Sequence, residues 1–335
     1  MKRHMFFLAG MACTFFSACS HAQDEFRIAS IFHMQSPGGW DYLTVGPGNG
    51  RLYVSHSTQV NILDKSTGDS IGVIANTAGI HGIAFDTEQQ KGFTSNGRAN
   101  TVTVFDLKTN KPITDIPVGE NPDAIMYEPF IKKIITCNGR SQDLSIIDPV
   151  ENKVVGTIPV GGKPETAASD EKGKLFVNIE DKSEIAVIDL AGMNVMERWP
   201  LAPAEEPTGL AIDRNTHRLF AGCGNSLRAI INTNDGMLVK TLPIGRGCDG
   251  VAFDPGSHEI FTSNGEGTMS VYREKGADDY EKVGTVTTKR GARTIFLDPQ
   301  THWIYLPTAE FEASAPQGQR PAMIPGSFQV LVIHR

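Results

Sequence analysis

The sequence predicts an all-β chain closed into a seven-bladed β-propeller of four-stranded antiparallel blades. Three observations predict it. First, a short motif recurs. Gly92-Phe93-Thr94-Ser95-Asn96-Gly97 is followed by the alternating run Thr101 to Asp106. Ile134-Ile135-Thr136-Cys137-Asn138-Gly139 and Ile260-Phe261-Thr262-Ser263-Asn264-Gly265 are further copies, each with its own following strand. Second, the copies sit in units that begin near Gly39, Gly79, Gly119, Gly161, Glu205, Gly245 and Arg290, spaced 40 to 45 residues apart. Third, apolar residues alternate with period two, and Gly or Pro interrupts every few residues, so no helical period survives. Four short strands per unit of this length is the mark of a propeller blade.

Each unit reads in the same order. A turn with Gly, often with Pro, leads into a strand ending in Asp or its stand-in, as in Gly82 to Asp86 or Gly250 to Asp254. The motif strand follows and ends at a polar Asn-Gly turn. Two further strands come next, as in Val102 to Asp106 and Ile113 to Val118. The seventh unit holds only three strands, residues 293–297, 303–306 and 328–333. A spare strand, residues 26–32, precedes the first unit. Pairing it into blade seven as the outer strand closes the ring and removes a sheet edge at the seam.

The N-terminus reads as an export segment. Lys2, Arg3 and His4 are followed by the apolar run Phe6 to Phe16, too short to span a bilayer, and then by small residues. Two processing readings stand side by side. Ser20-His21-Ala22 before Gln23 suits ordinary cleavage, giving a signal peptide 1–22. Phe16-Ser17-Ala18-Cys19 suits a lipoprotein signal 1–18 with a lipid anchor at Cys19, although Phe stands where Leu is usual. Residues 23–335 are then one propeller domain, exported to the periplasm or tethered at the outer membrane or cell surface. Loss of Lys2 and Arg3 leaves 29 basic against 38 acidic residues, a net charge of −9. With no Lys/Arg-rich run, nucleic-acid binding is excluded as an expectation.

Runs such as Leu52-Tyr53-Val54-Ser55-His56, Phe93-Thr94-Ser95-Asn96 and Ile135-Thr136-Cys137-Asn138 resemble the Tyr-Val-Thr-Asn repeat of YVTN-type propellers. Over residues 26–335 the chain is similar to the YncE-like YVTN-repeat proteins. That resemblance implies a propeller of the periplasm or cell surface. It implies no particular activity, because propellers host binding scaffolds, lyases and hydrolases alike.

Blade geometry says where chemistry can gather. The start of strand one and the end of strand two meet at one mouth of the central channel. Seven copies of each position make two rings. The first ring is Asp41, His81, Asp123, Glu165, Thr208, Asp249 and Arg293. The second is His56, Asn96, Asn138, the weakly aligned Ile179 or Glu180, Cys223, Asn264 and Thr308. A repeat should place near-identical residues in the first ring, yet it holds four acids, one His and one Arg. The sharp reading is a divalent-metal ion held by His56, His81 and Asp123, with Asp41 and Glu165 in reserve, since imidazole with carboxylate suits zinc and other transition metals. The plain alternative is a polar, water-filled channel with Asn side chains making turns. Crowded carboxylates would also raise one another's pKa values and suit acid–base work. Arg293 beside Asp41 and Asp249 would form a salt bridge or hold an anionic group.

Two further features bear on this face. Cys223 and Cys248 lie on adjacent blades, where a disulfide, a reduced pair or a metal are all open. The segment Phe311 to Ser327 is a long insertion between strands two and three of blade seven. Long loops in compact folds are often functional. It is expected to cover the mouth and present Phe311, Arg320 or Met323 to a ligand, with Glu310 at its base. His217, His258 and His302 recur in turns on the opposite face and read as turn residues. The function these features favour is a monomeric binding or interaction protein of the cell envelope. Its ligand, a small molecule or an envelope protein, meets the channel face at ring residues including Asn96, Asn138 and Asn264. A metal- or carboxylate-dependent lyase or hydrolase at the same mouth is the alternative.

Overall fold

A computed structural model describes residues 25–48, 50–313 and 321–335. Their strands form seven four-stranded antiparallel sheets arranged as blades. The innermost strands are Trp40–Val45, Ile80–Asp86, Pro122–Glu128, Pro164–Ser169, Pro207–Asp213, Cys248–Asp254 and Phe296–Leu297. In blades one to six the chain runs outward through four consecutive strands. In blade seven the order from the rim is Arg27–His33, Gln329–His334, Ile304–Thr308 and Phe296–Leu297. The N-terminal strand therefore pairs antiparallel with the C-terminal one, Ile31 opposite Leu331. The inner strand of this blade is only two residues long, shorter than the alternation at 293–297 suggests. Arg293 instead sits in a turn, its N–H bonded to the Gly291 carbonyl at 2.9 Å.

The recurring Asp has a local cause. Asp86 Oδ1 accepts the N–H groups of Glu88 and Gln89 at 2.9 and 3.2 Å, and Asp148 Oδ1 accepts those of Val150 and Glu151 at 2.8 and 3.0 Å. Each carboxylate thus builds its own hairpin turn. The Asn-Gly reading needs correction. Asn96, Asn138 and Asn264 each end a strand and are buried. The left-handed residue that closes the connection comes later, at Asn100 or Gln142.

The core is laid between blades. Tyr53 of blade one meets Phe85 of blade two at 5.1 Å and Phe105 at 6.0 Å. Gly92 makes room for that ring, because a Cβ there would lie 2.0 Å from Phe105. Packing of this kind recurs around the ring, with Ile135, Leu144 and Val177 between blades three and four, and Phe261, Leu306 and Leu331 between six and seven. No helix among the described residues is long and apolar enough to cross a membrane. Cys19 and the export segment lie outside the described residues.

Candidate functional site at the channel mouth

A β-bulge places the ring. In blades one to six the pairing of strands one and two slips just after the first residue, between Trp40 and Leu43, Ile80 and Ile83, Pro122 and Ile125, Pro164 and Ala167, Pro207 and Leu210, and Cys248 and Gly250. The bulged residues include Asp41, His81, Asp123, Glu165, Thr208 and Asp249. A bulge re-aims side chains out of the ladder. Hydroxyls fix the backbone there. Asp41 donates its N–H to Ser55 Oγ at 3.1 Å, and Thr294 donates to the Asp41 carbonyl at 2.6 Å. Ser95 likewise donates to the Asp123 carbonyl and Ser263 to the Arg293 carbonyl.

Five of the seven first-ring residues join one ion-pair network, and a sixth, Glu165, pairs with Lys163 instead. His81 Nδ1 lies 2.5 Å from Asp41 Oδ2 and 3.7 Å from Asp123 Oδ1. Arg293 donates from Nε to Asp249 at 2.6 Å and from Nη2 to Asp41 at 3.3 Å. Lys163 reaches Glu165 at 2.6 Å and also pairs with Glu180. Thr208 stays out, donating to the Cys248 carbonyl at 2.9 Å.

The charges shift one another. Burial, then the charge of Asp41, raises Asp123 to about 7 against the pull of His81. Burial and Asp123 raise Glu165 to about 8 despite Lys163. Burial raises Asp249 to about 6 despite Arg293. Burial lowers the His81 imidazole, but the Asp41 hydrogen bond and the Asp123 and Asp41 charges outweigh it and raise it to about 9. His81 therefore carries its proton at neutral pH and donates it to Asp41.

The His and Asn side chains of the second ring are buried and engaged with neighbouring protein groups. His56 is fully buried, and both its nitrogens are engaged, Nδ1 with Ser36 Oγ at 2.6 Å and Nε2 with the Gly38 carbonyl at 2.9 Å. Its ring stacks on Phe328 at 4.0 Å. As a metal ligand it is corrected to a packing and hydrogen-bonding residue. The buried Asn side chains tie strands together. Asn96 Nδ2 donates to Thr103 at 2.8 Å, Asn138 Nδ2 to Asp143 and Ser145 at 2.7 and 2.9 Å, and Asn264 Nδ2 to Thr268 and Ser270 at 3.0 and 3.1 Å. Glu310 pairs with Lys289 and accepts from Gln329 at 2.8 Å, at the base of the loop. The disulfide reading is likewise corrected. Cys223 and Cys248 are free thiols, as is Cys137, and all three are buried.

Tyr42, which the ring argument misses, belongs to the site. Burial first, then the charges of Asp123, Asp41, Asp249 and Glu165, raises its hydroxyl pKa. It lines a channel cavity of about 270 Å³ with Met126, Thr166, Leu210 and Ile295. The signal was present in the repeat. The equivalent positions hold Gly82, Ala124, Thr166, Gly209, Gly250 and Thr294, all small.

A second cavity of about 580 Å³ adjoins the ring at Asp249 and Arg293, with Trp40, Arg290, Phe311 and Pro321 as walls. The long insertion starts and ends as a paired ribbon. Phe311 bridges Met323, and Glu312 N–H bonds the Ala322 carbonyl at 2.9 Å. Phe311 then leans on Trp40 at 6.1 Å and lies under the Arg290 guanidinium at 5.7 Å. Met323 is not a wall of this cavity. Arg320 lies outside the described residues.

Asp41, His81 and Asp123 each offer one ligand atom, and the three atoms lie within 4.8 Å of one another. Asp123 Oδ1 is buried and accepts no hydrogen bond. In a tetrahedral zinc site ligand atoms stand ~3.4 Å apart, so an ion would displace the His81 proton and spread the pair slightly.

No family model matches the sequence. No curated protein matches it either. Among solved structures, a chain of Kuenenia stuttgartiensis hydrazine synthase is similar, with a TM-score of 0.72 and 18% identity over 80% of this chain and 92% of that one. At that identity the likeness is one of fold, and the fold it shares is the β-propeller.

Proposed function

We propose that the chain is a binding protein whose channel mouth takes a divalent cation, alone or together with a small ligand that it helps to hold. One observation carries this reading. Asp123 presents a buried, unbonded carboxylate oxygen 3.7 Å from a His81 nitrogen that Asp41 already orients. Burying a carboxylate without a partner is costly, and a metal ion satisfies it. The adjoining cavity, with its Trp40 and Phe311 walls and the Arg290 and Arg293 guanidinium groups, has the room and chemistry for an organic group.

The test is elemental analysis of the mature protein purified without chelator or nickel resin. Bound metal, of which one equivalent is lost in His81→Ala and in Asp123→Asn, supports the reading. A mouth that takes up no zinc, manganese or calcium even when they are added in excess sinks it.

Acid–base catalysis is the second reading, favoured by Asp123 at about 7 and Glu165 at about 8, which keep a partly protonated carboxyl pair beside Tyr42 at neutral pH. It predicts turnover of a lyase or hydrolase substrate, lost in Asp123→Asn.

The cellular setting belongs to the same proposal. The basic, apolar and small-residue N-terminus supports export, with cleavage after Ala22 or lipidation at Cys19. The YVTN-like runs support a YncE-like protein of the envelope. The mass of the mature N-terminal peptide decides between the two processing routes.

A further inference from the structure

We propose that Asp213, His258 and Glu274 form a second divalent-metal site, on the face opposite the channel mouth, that joins blades five and six. Their ligand atoms lie within 4.8 Å of one another. Asp213 ends the inner strand of blade five. His258 sits in the first hairpin turn of blade six. Glu274 lies on the third strand of blade six, Thr268–Gly276, three residues longer than its counterparts Thr101–Asp106 and Glu184–Asp189. The Glu274 N–H bonds the His258 carbonyl at 2.8 Å, which fixes the two relative to each other.

In blades six and seven the Asp at the close of the inner strand meets a group of the next blade: Asp254 pairs with His302 at 2.8 Å, the turn position that His258 occupies in blade six, and Asp298 pairs with Lys65 at 2.7 Å. Lys65 follows Asp64, which pairs across the sheet with Arg51. Glu274 follows Arg273, which pairs with Glu259 in the same register. Glu274 is therefore the blade-six counterpart of Lys65, and Asp213 meets a carboxylate where Asp298 meets an ammonium.

Hydrogen atoms are short at this contact. Thr216 has one hydroxyl proton for Asp213 at 2.7 Å and Glu274 at 2.8 Å. Tyr280 lies 3.2 Å from Glu274 but 2.6 Å from the Ala277 carbonyl. Glu274 is 5% exposed, and its Oε2 accepts nothing. Arg218, the adjacent cation, is engaged with Asp278 at 2.7 Å and with the Thr216 and His217 carbonyls at 3.0 Å. Lys275 turns to Glu281 at 3.4 Å. Two carboxylates so placed need a positive species between them, a proton or a metal ion. One imidazole with two carboxylates suits zinc, manganese or ferrous iron.

The test is zinc titration of the full mature chain by calorimetry at pH 7.5, in wild type, His81→Ala, His258→Ala and Glu274→Gln. His81→Ala should keep one binding event. His258→Ala and Glu274→Gln should each lose that event or weaken it at least tenfold. Glu274→Gln keeps the Thr216 and Tyr280 contacts and removes the like charge, so its metal-free melting temperature should equal or exceed that of wild type. The proposal is overturned if His258→Ala and Glu274→Gln bind zinc as wild type does, or if wild type binds none. A fall in the metal-free melting temperature of Glu274→Gln would also overturn it, by showing that the protein already satisfies the Glu274 charge.

Discussion

His81 of blade two donates its Nδ1 proton to Asp41 of blade one at 2.5 Å, and Arg293 of blade seven holds the other oxygen of the same carboxylate at 3.3 Å. One side chain thus joins three blades across the ring closure. With both partners engaged, Asp41 is oriented, and Asp123 is left as the acid with an unbonded oxygen.

The mouth makes stability fall as pH rises. Asp123, Glu165 and Asp249 have folded pKa values above the ordinary carboxylate range, at about 7, 8 and 6, and His81 is raised to about 9. In each case the folded state binds more protons than the unfolded state between the two pKa values. The stabilisation is complete below the unfolded pKa and is lost as pH climbs through the folded one. The melting temperature should therefore decline from about pH 4.5 to 9, each proton in excess contributing ~1.4 kcal/mol per pH unit. Asp123→Asn should flatten the slope between pH 5 and 7. A flat or rising profile in wild type contradicts the network.

His56→Ala should damage stability and spare cation binding. The variant loses two buried hydrogen bonds and a ring stacked on Phe328. A loss of about 2–4 kcal/mol is expected by analogy with other buried truncations. Denaturant melts measure it. Unchanged stability with lost metal would restore His56 as a ligand.

Gly97→Ala should do the reverse. A Cβ there would stand 2.7 Å from His81 Nε2 and 2.9 Å from Asn121 Oδ1, so the imidazole must shift. Mouth binding should weaken at least tenfold while the melting temperature moves by only a few degrees. Calorimetry and thermal melts on the same preparation separate the two effects.

The thiols should be silent in the folded protein. Burial raises Cys223 and Cys248 to about 12 and Cys137 further still. A thiolate reagent should label none of these three at pH 8 and all three in guanidinium. Labelling of only Cys137 in the denatured, unreduced protein would point to a Cys223–Cys248 bond.

Removal of residues 25–33 should expose the edge of Gln329–His334 along its length. Soluble aggregation at micromolar concentration is the expected result, measured by light scattering, because an unpaired strand edge recruits other chains.

Much of the architecture was legible in the chain. Period-two alternation, the Asp that builds each hairpin turn and the 40 to 45 residue spacing are local or periodic properties, and they determined seven blades and the closing strand. The composition of the first ring was legible too, because a repeat exposes any position where it breaks its own pattern. In a ring made mostly of acids, His81, Thr208 and Arg293 are such breaks, and so is Tyr42 among small residues.

Only the tertiary structure decided which of these residues meet. His56 and His81 are equally plausible ligands on paper. A bulge of one residue turns His81 inward, while the regular ladder holds His56 against Phe328. The conflict between Asp213 and Glu274 lies 61 positions apart and across two blades, where alternation says nothing. Side-chain direction at a bulge and contact between blades depend on sub-residue register and long-range packing, and a pattern of residue types does not encode either one.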